Sequence, residues 1–178
     1  NLDAEMSEKT ETIIYIDGYN FYYGRLRNAD GNFKWLDIVT LFQNILQSQD
    51  PNSEIVKIKY FTALALGKFA THGNKSTEAQ QAYHRALEVL YPDVLEIILG
   101  SHVPAKKRLP TVNPANPNAF DKTQRSEVWV LEEKKTDVQI ALAMYKDVVK
   151  GNCQQVVLCS NDSDLEPALQ EIREEKPD

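Results

Sequence analysis

The sequence predicts an α/β fold of three layers, in which an open parallel sheet carries helices on both faces. Short runs of β-branched and apolar residues alternate along the chain with longer segments whose apolar residues recur at helical spacing. Each short run is nearly continuously apolar, as expected of a strand covered on both faces. The 178 residues are 42% hydrophobic and 26% charged, which is ordinary for one globular domain. We therefore expect a single domain over residues 1–178, with a flexible N-terminal segment at 1–11.

Four main strands are predicted. Each is a short run that is rich in Val, Ile, Tyr and Phe and is followed by polar or turn-forming residues. The runs are Thr12–Ile16, Glu54–Thr62, Val94–Gly100 and Gln155–Cys159.

Four helices are predicted between and after these strands. Trp35–Gln47 has one apolar stripe, and a second helix begins at a Ser76 cap and runs to Leu90, before Pro92. The third begins with a capping box of Thr136 and Gln139 and ends at Gly151, because glycine commonly terminates helices. The last helix begins near Asp164 and runs to about Glu175.

Residues 103–126 are predicted to form an irregular, proline-rich insertion. Four of the eight prolines lie within Val103–Phe120, which interrupts any regular pattern. The flanking stretches SHV and EVWVL are strand-like and are expected to pair as a small hairpin that stands off the sheet.

Composition narrows the function classes. No stretch approaches the ~18 unbroken apolar residues of a membrane helix, and the N-terminus lacks the basic-then-apolar order of a secretion signal. We therefore expect a cytoplasmic protein without a membrane partner. Two cysteines and three histidines fall in no zinc-binding spacing. The net charge of −6 argues against a nucleic-acid partner unless the acidic residues are concentrated in one site.

Acidic residues follow the predicted strands at the places where ligands bind in open parallel sheets. Asp17 ends the first strand, Asp162 and Asp164 follow the fourth, and Asp137 opens the third helix. If the first and fourth strands are neighbours, all four carboxylates converge on one cleft. Each aspartate also has a structural explanation, since aspartate after a strand is a good helix cap.

Four converging carboxylates require a compensating cation, because like charges raise each other's pKa. Oxygen ligands select hard divalent ions, Mg²⁺ or Mn²⁺, and such ions activate water and neutralise phosphate in phosphodiester-cleaving enzymes. The four acids account for most of the net charge of −6, so the composition no longer excludes a nucleic acid.

Three motifs resemble the NYN domain family, which belongs to the PIN-like nucleases. IDGYNFYYG is similar to the first family motif and contains Asp17 and Asn20. EEKKTDV is similar to the second motif and contains Lys134 and Asp137. VVLCSNDSDLEPAL is similar to the third motif, whose positions here are Ser160, Asp162, Asp164 and Pro167. The resemblance implies a PIN-like sheet. Such folds usually continue with a further strand after the last helix, which is missing from a chain that stops at Asp178.

The resemblance implies a metal-dependent ribonuclease that hydrolyses RNA with a metal-activated water. Asp17, Asp137, Asp162 and Asp164 would be the catalytic, metal-binding acids, and Asn20, Lys134 and Ser160 supporting polar groups. The alternative is an RNA-binding or regulatory module of the same fold that does not cleave. A haloacid-dehalogenase-type phosphatase is disfavoured, because it needs a second Asp two residues after the first and position 19 is Tyr.

Basic and aromatic residues outside the motifs are candidates for binding RNA, whether single-stranded or structured. Lys106, Lys107, Arg108 and Lys135 could contact phosphates, and Tyr19 could stack on a base. The alternative explanations are a solvated loop for the basic residues and helix packing for the tyrosine. Pairing of the chain with itself or with a protein regulator stays open.

Overall fold

A four-stranded parallel sheet forms the centre of the computed structural model, which describes residues 8–26 and 33–177. Its strands are β1 (Thr10–Asp17), β2 (Ser53–Thr62), β3 (Leu95–Leu99) and β6 (Gln155–Cys159), in the order β3-β2-β1-β6. Between β3 and β6 the chain forms an antiparallel pair, β4 (Ser101–Asn113) and β5 (Asn116–Lys134). The predicted strands and their parallel arrangement are confirmed.

Helices cover both faces of the sheet. They are α1 (Gly18–Phe21), α2 (Ile38–Gln49), α3 (Asn74–Leu90), α4 (Thr136–Val149) and α5 (Glu166–Glu175), with a π-helical turn at Tyr22–Leu26 and a 3₁₀ turn at Ser163–Leu165. Among the described residues, no helix combines the length and apolar character that crossing a bilayer requires.

Successive side chains of β1 belong to two hydrophobic cores, one on each face of the sheet. Ile14 and Ile16 pack with α2 and α3, whereas Ile13 and Tyr15 pack with α4 and α5. These residues are buried because successive side chains of a strand point to opposite faces. The three-layer α/β architecture predicted from the sequence is confirmed.

Three predicted helix starts are corrected. α2 begins at Ile38 because the carboxylate of Asp37 accepts hydrogen bonds from the next backbone N–H groups. α3 begins at Asn74 rather than Ser76, after Gly73 at φ 59°. Thr136 is the first residue of α4 rather than its cap, and the residue before it, Lys135, has φ 78°. The predicted stop at Gly151 agrees with the structure, where φ is 69°.

The insertion at 103–126 belongs to a hairpin, as predicted, but it is regular, which corrects the predicted irregular segment. β4 and β5 pair continuously from Ser101–Lys134 at the base, with register shifts after Pro110 and Val112. Pro104 and Pro110 are accommodated because a two-stranded ribbon has outer edges where a missing N–H breaks no hydrogen bond. Of the segment predicted to be flexible, residues 1–7 lie outside the described part of the chain, and β1 already begins at Thr10.

Candidate active site at the carboxyl edge of the sheet

Asp17 is a buried carboxylate at the carboxyl end of β1. Its side chain is 2% exposed, and one oxygen accepts the backbone N–H of Asn20 at 3.0 Å, which caps α1. The other oxygen accepts hydrogen bonds from the Asn20 amide at 2.5 Å and from the Ser160 hydroxyl at 2.8 Å. Because β1 and β6 are neighbours, these bonds connect the ends of the two strands, as the sequence analysis anticipated.

Asp162 and Asp164 follow β6 and differ in their structural roles. The Ser160 hydroxyl accepts the backbone N–H of Asp162 at 3.0 Å, and the Asp162 carboxylate accepts that of Asp164 at 2.9 Å. Asp162 therefore caps the 3₁₀ turn at Ser163–Leu165, which precedes α5. Since one residue is enough to cap the turn, the exposed carboxylate of Asp164 is not needed for capping.

Asp137 occupies the first turn of α4 and completes the predicted acidic group. Partial burial raises the pKa of its carboxyl, and the negative charges of Asp162, Asp17 and Asp164 raise it further. The contributions to this shift include no neighbouring cation. The fold thus brings the four predicted aspartates into electrostatic contact.

Glu133 lines the cleft although the sequence pattern did not predict it, whereas the exposed Asp164 is not among the lining residues. The cleft encloses about 310 Å³ and is lined by Asp17, Tyr19, Asn20, Leu131, Glu133, Thr136, Asp137 and Asp162. Burial raises the pKa of Glu133, as do the charges of Asp17 and Asp137, while a 2.6 Å hydrogen bond from the Thr136 hydroxyl opposes the shift. Reading EVWVLEEK as one alternating strand would have placed Glu133 on the same face as Leu131.

The two predicted lysines near Asp137 are both exposed. Lys134 follows Glu133 on β5 and therefore lies on the opposite face, where its amine is 2.6 Å from the Glu132 carboxylate. Lys135 is exposed at the start of α4. Neither lysine lines the cleft.

The other predicted RNA-binding residues divide between the cleft and the hairpin. Tyr19 lines the cleft, is 45% exposed, and packs against Tyr23 with ring centroids 4.4 Å apart. Lys106, Lys107 and Arg108 lie on β4 rather than on an irregular loop. Lys107 is paired with Glu132, and the Lys106 amine lies 5.3 Å from the centroid of Trp129.

The donor set of the cleft is suited to a hard cation, although its carboxylates are not gathered around one point. Among the residues described, no three His, Cys, Asp or Glu side chains are arranged to hold a metal ion. All acids of the cleft nevertheless offer oxygen, the ligand that Mg²⁺ and Mn²⁺ prefer, and neighbouring carboxylates raise the pKa of Asp137 and of Glu133. On their chemistry the residues fit a divalent ion.

The NYN domain family matches residues 11–177, which is nearly the whole chain. The chain belongs to the NYN domain family. This confirms the family indicated by the motifs around Asp17, Asp137 and Asp162, and it supports a nuclease-like fold.

Two individual proteins are similar to this NYN chain. A 6-hydroxy-3-succinoylpyridine 3-monooxygenase from Pseudomonas putida is 40% identical over 94% of this chain, and the chain spans 57% of the length of that relative. A solved structure of a Vibrio parahaemolyticus protein of unknown function superposes with a TM-score of 0.52 and 18% identity, covering 96% of this chain and 78% of the other. The second likeness concerns the fold alone.

Proposed function

We propose that this NYN domain is a divalent-metal-dependent ribonuclease that hydrolyses RNA phosphodiesters in the acidic cleft. The observation that carries the proposal is that Asp17, Asp137 and Asp162 line one cleft at the carboxyl edge of the sheet. Their mutual repulsion is reflected in the raised pKa of Asp137. Carboxylates that repel one another in a cleft are unfavourable for folding, so their grouping is expected where a cation is used.

The cleft residues divide into two roles under this proposal. Asp17, Asp137, Asp162 and Asp164 would hold Mg²⁺ or Mn²⁺, which when bound neutralises the phosphate and acidifies a water. Asn20 and Ser160 fix the orientation of the Asp17 carboxylate through their hydrogen bonds. Glu133 adds a half-buried carboxylate that would be in place to exchange a proton in the cleft, and burial raises its pKa.

The decisive variant is Asp137→Asn, because none of the described side-chain hydrogen bonds involves this carboxylate. Asp93→Asn is the matched control, since Asp93 is also exposed but lies before β3, at the opposite edge of the sheet. Fluorescent single-stranded RNA and matched DNA are incubated with each protein in Mg²⁺, Mn²⁺ or EDTA. We expect metal-dependent RNA cleavage by the wild type and by Asp93→Asn and a loss of at least about 100-fold in Asp137→Asn.

Two results would contradict the proposal. Full cleavage by Asp137→Asn would remove this acid from the site, and cleavage that persists in EDTA would exclude a metal requirement. Metal-dependent RNA binding without cleavage by the wild type would instead establish the non-cleaving RNA-binding or regulatory module.

A second candidate function comes from the relative named as a monooxygenase. Because 40% identity extends over 94% of this chain, hydroxylation of 6-hydroxy-3-succinoylpyridine is a function to test. A monooxygenase needs O₂ and two electrons from a donor, so the assay supplies this compound, O₂ and reduced nicotinamide with or without flavin. Product formation that survives Asp137→Asn would favour oxygenation over nuclease chemistry in the cleft.

A further inference from the structure

The hairpin of β4 and β5 continues the acidic cleft as an exposed ribbon. Its base lies at the carboxyl edge of the sheet, where the Gly100 N–H donates to the Thr62 carbonyl at 2.8 Å. His102 Nδ1 donates to the Leu64 carbonyl at 2.9 Å and fixes the first residues of β4 to the same edge. The ribbon therefore starts beside the cleft and extends away from it.

Strand register divides the ribbon into two different faces. Glu133 and Leu131 line the cleft, and Trp129 continues the same side of β5 because alternate residues share a face. The partner of Trp129 on β4 is Lys106, and Arg108 follows on the same side. We call Lys106, Arg108, Trp129, Leu131 and Glu133 the cleft-side face. Lys107 and Glu132, which pair with each other, lie on the opposite face.

The cleft-side face presents an exposed aromatic ring beside two cations. Trp129 is 56% exposed, its ring is held edge-on by Phe69 at 6.1 Å, and the Lys106 amine lies 5.3 Å from its centroid. None of the three ion pairs among the described residues uses Lys106 or Arg108. Lys106 is therefore available for an external anion, whereas Lys107 is already paired with Glu132. Arg108 likewise takes part in none of these ion pairs, and its cross-strand neighbour on this face is Glu127.

We infer that the cleft-side face is a track for single-stranded RNA, in which Trp129 stacks on an unpaired base and Lys106 and Arg108 contact the flanking phosphates. The combination of an aromatic platform with cations along one groove is the general solution for binding single strands without reading sequence. Trp129 and Glu133 are four positions apart on β5, a distance of about 14 Å, so only an extended substrate reaches both sites. The inference rests on the proposed nuclease function and assigns the substrate-binding surface of that cleft.

Kinetics on long and small substrates tests the track. Trp129→Ala should raise Kd and KM for single-stranded RNA by about 5- to 150-fold, the usual effect of losing one stacked base. It should leave kcat and the hydrolysis of bis(p-nitrophenyl) phosphate unchanged, because this small diester occupies the cleft alone. Trp129→Tyr should restore most of the affinity, since tyrosine also stacks. Lys106→Gln should reduce the slope of log K against log salt by about 0.7, and the control Lys107→Gln should reduce it less.

A fluorescence measurement keeps the test independent of whether Trp129→Ala folds normally. The chain has two tryptophans, so Trp35→Phe leaves Trp129 as the single reporter. Base stacking should quench its emission when RNA is added in EDTA, and high salt should restore it. A merely structural role of Trp129 would produce no quenching.

The outcomes separate this inference from the proposed function. RNA cleavage with an unchanged KM in Trp129→Ala and Lys106→Gln would overturn the track and leave the nuclease standing. RNA binding that depends on Trp129 without any cleavage would support the track and overturn the nuclease. If Trp129→Ala changes the oligomeric state in size-exclusion chromatography but not the RNA affinity, the face binds a second copy of the chain and the inference is wrong.

Discussion

Replacing Glu133 by Gln should stabilise the metal-free protein, because it removes a charge that the cleft disfavours. Burial raises the pKa of Glu133, and the nearby Asp17 and Asp137 raise it further. Glutamine has nearly the same size and keeps an oxygen that can accept the 2.6 Å hydrogen bond from the Thr136 hydroxyl. The substitution therefore changes the electrostatics of the cleft with little change in packing.

The effect should depend on pH with a definite sign. A raised folded-state pKa means that the unfolded chain ionises first, so ionised Glu133 destabilises the fold at every pH above the folded pKa. The penalty begins near the ordinary value of 4.5 and is complete above the raised pKa. For a half-buried charge among like charges we expect a gain of about 1 kcal/mol at neutral pH, or about 2–4 °C in Tm for a chain of this size.

Thermal unfolding in EDTA at pH about 7 and about 4 checks this prediction. Glu132→Gln is the control, because the neighbouring residue lies on the opposite face, where Lys107 and Lys134 lower its pKa to about 2. Its loss should lower Tm at neutral pH, the reverse of the change at Glu133. A lower Tm for Glu133→Gln at neutral pH, or an equal gain at both pH values, would refute the electrostatic reasoning.

Three other positions test the packing behind the cleft. Asp147→Ala should lower the free energy of unfolding, measured by urea denaturation, by about 3 kcal/mol. The reason is that the Lys59 amine, which lies 2.6 Å from the Asp147 carboxylate, loses its partner. A loss below about 1 kcal/mol would show that water replaces the carboxylate. Gly18→Ala should lower the free energy of unfolding by about 1–3 kcal/mol, since the new Cβ would lie 2.7 Å from the Phe61 carbonyl oxygen. An unchanged urea midpoint would contradict this prediction. Lys135→Gly should raise Tm in calorimetry, because glycine adopts the positive φ of 78° without the strain that lysine has there. The expected gain in the free energy of unfolding is up to about 1 kcal/mol. A lower Tm would mean that the lysine side chain stabilises the fold by more than the backbone strain destabilises it.

The sheet and the aspartates could be predicted because their signals are local in the sequence. A strand covered on both faces requires a continuous apolar run, as in Gln155–Cys159, and the residue after such a run must lie at the carboxyl edge. Asp17 and Asp162 were placed correctly for this reason.

The hairpin itself was predicted, but its extent, its register and the position of Glu133 could not be predicted in the same way. Pro104 and Pro110 are local signals against a strand, and they are acceptable in β4 because β5 is its one neighbouring strand in the described part of the chain. The position of Glu133 in the cleft depends on β5 extending to Lys134, which is fixed by pairing with residues about thirty positions earlier. Likewise, Thr136 donates to Glu133 instead of capping α4, because the preceding residue adopts φ 78°.

An aspartate of the cleft can both cap a helix and take part in catalysis. At Asp17, the burial of the side chain shows which of its features capping explains. The carboxylate does cap α1, but asparagine caps a helix about as well as aspartate, and a cap contributes only about 1 kcal/mol. Asp17 is 2% exposed, and burying an ionised carboxylate costs more than a neutral amide in the same position. Capping therefore explains an oxygen at this position but not a charge. Asp17→Asn should consequently keep the fold, with an unchanged circular dichroism spectrum, and lose the stabilisation that Mg²⁺ or Mn²⁺ gives the wild type; a metal-dependent rise in Tm that persists in this variant would assign the charge of Asp17 to the fold instead.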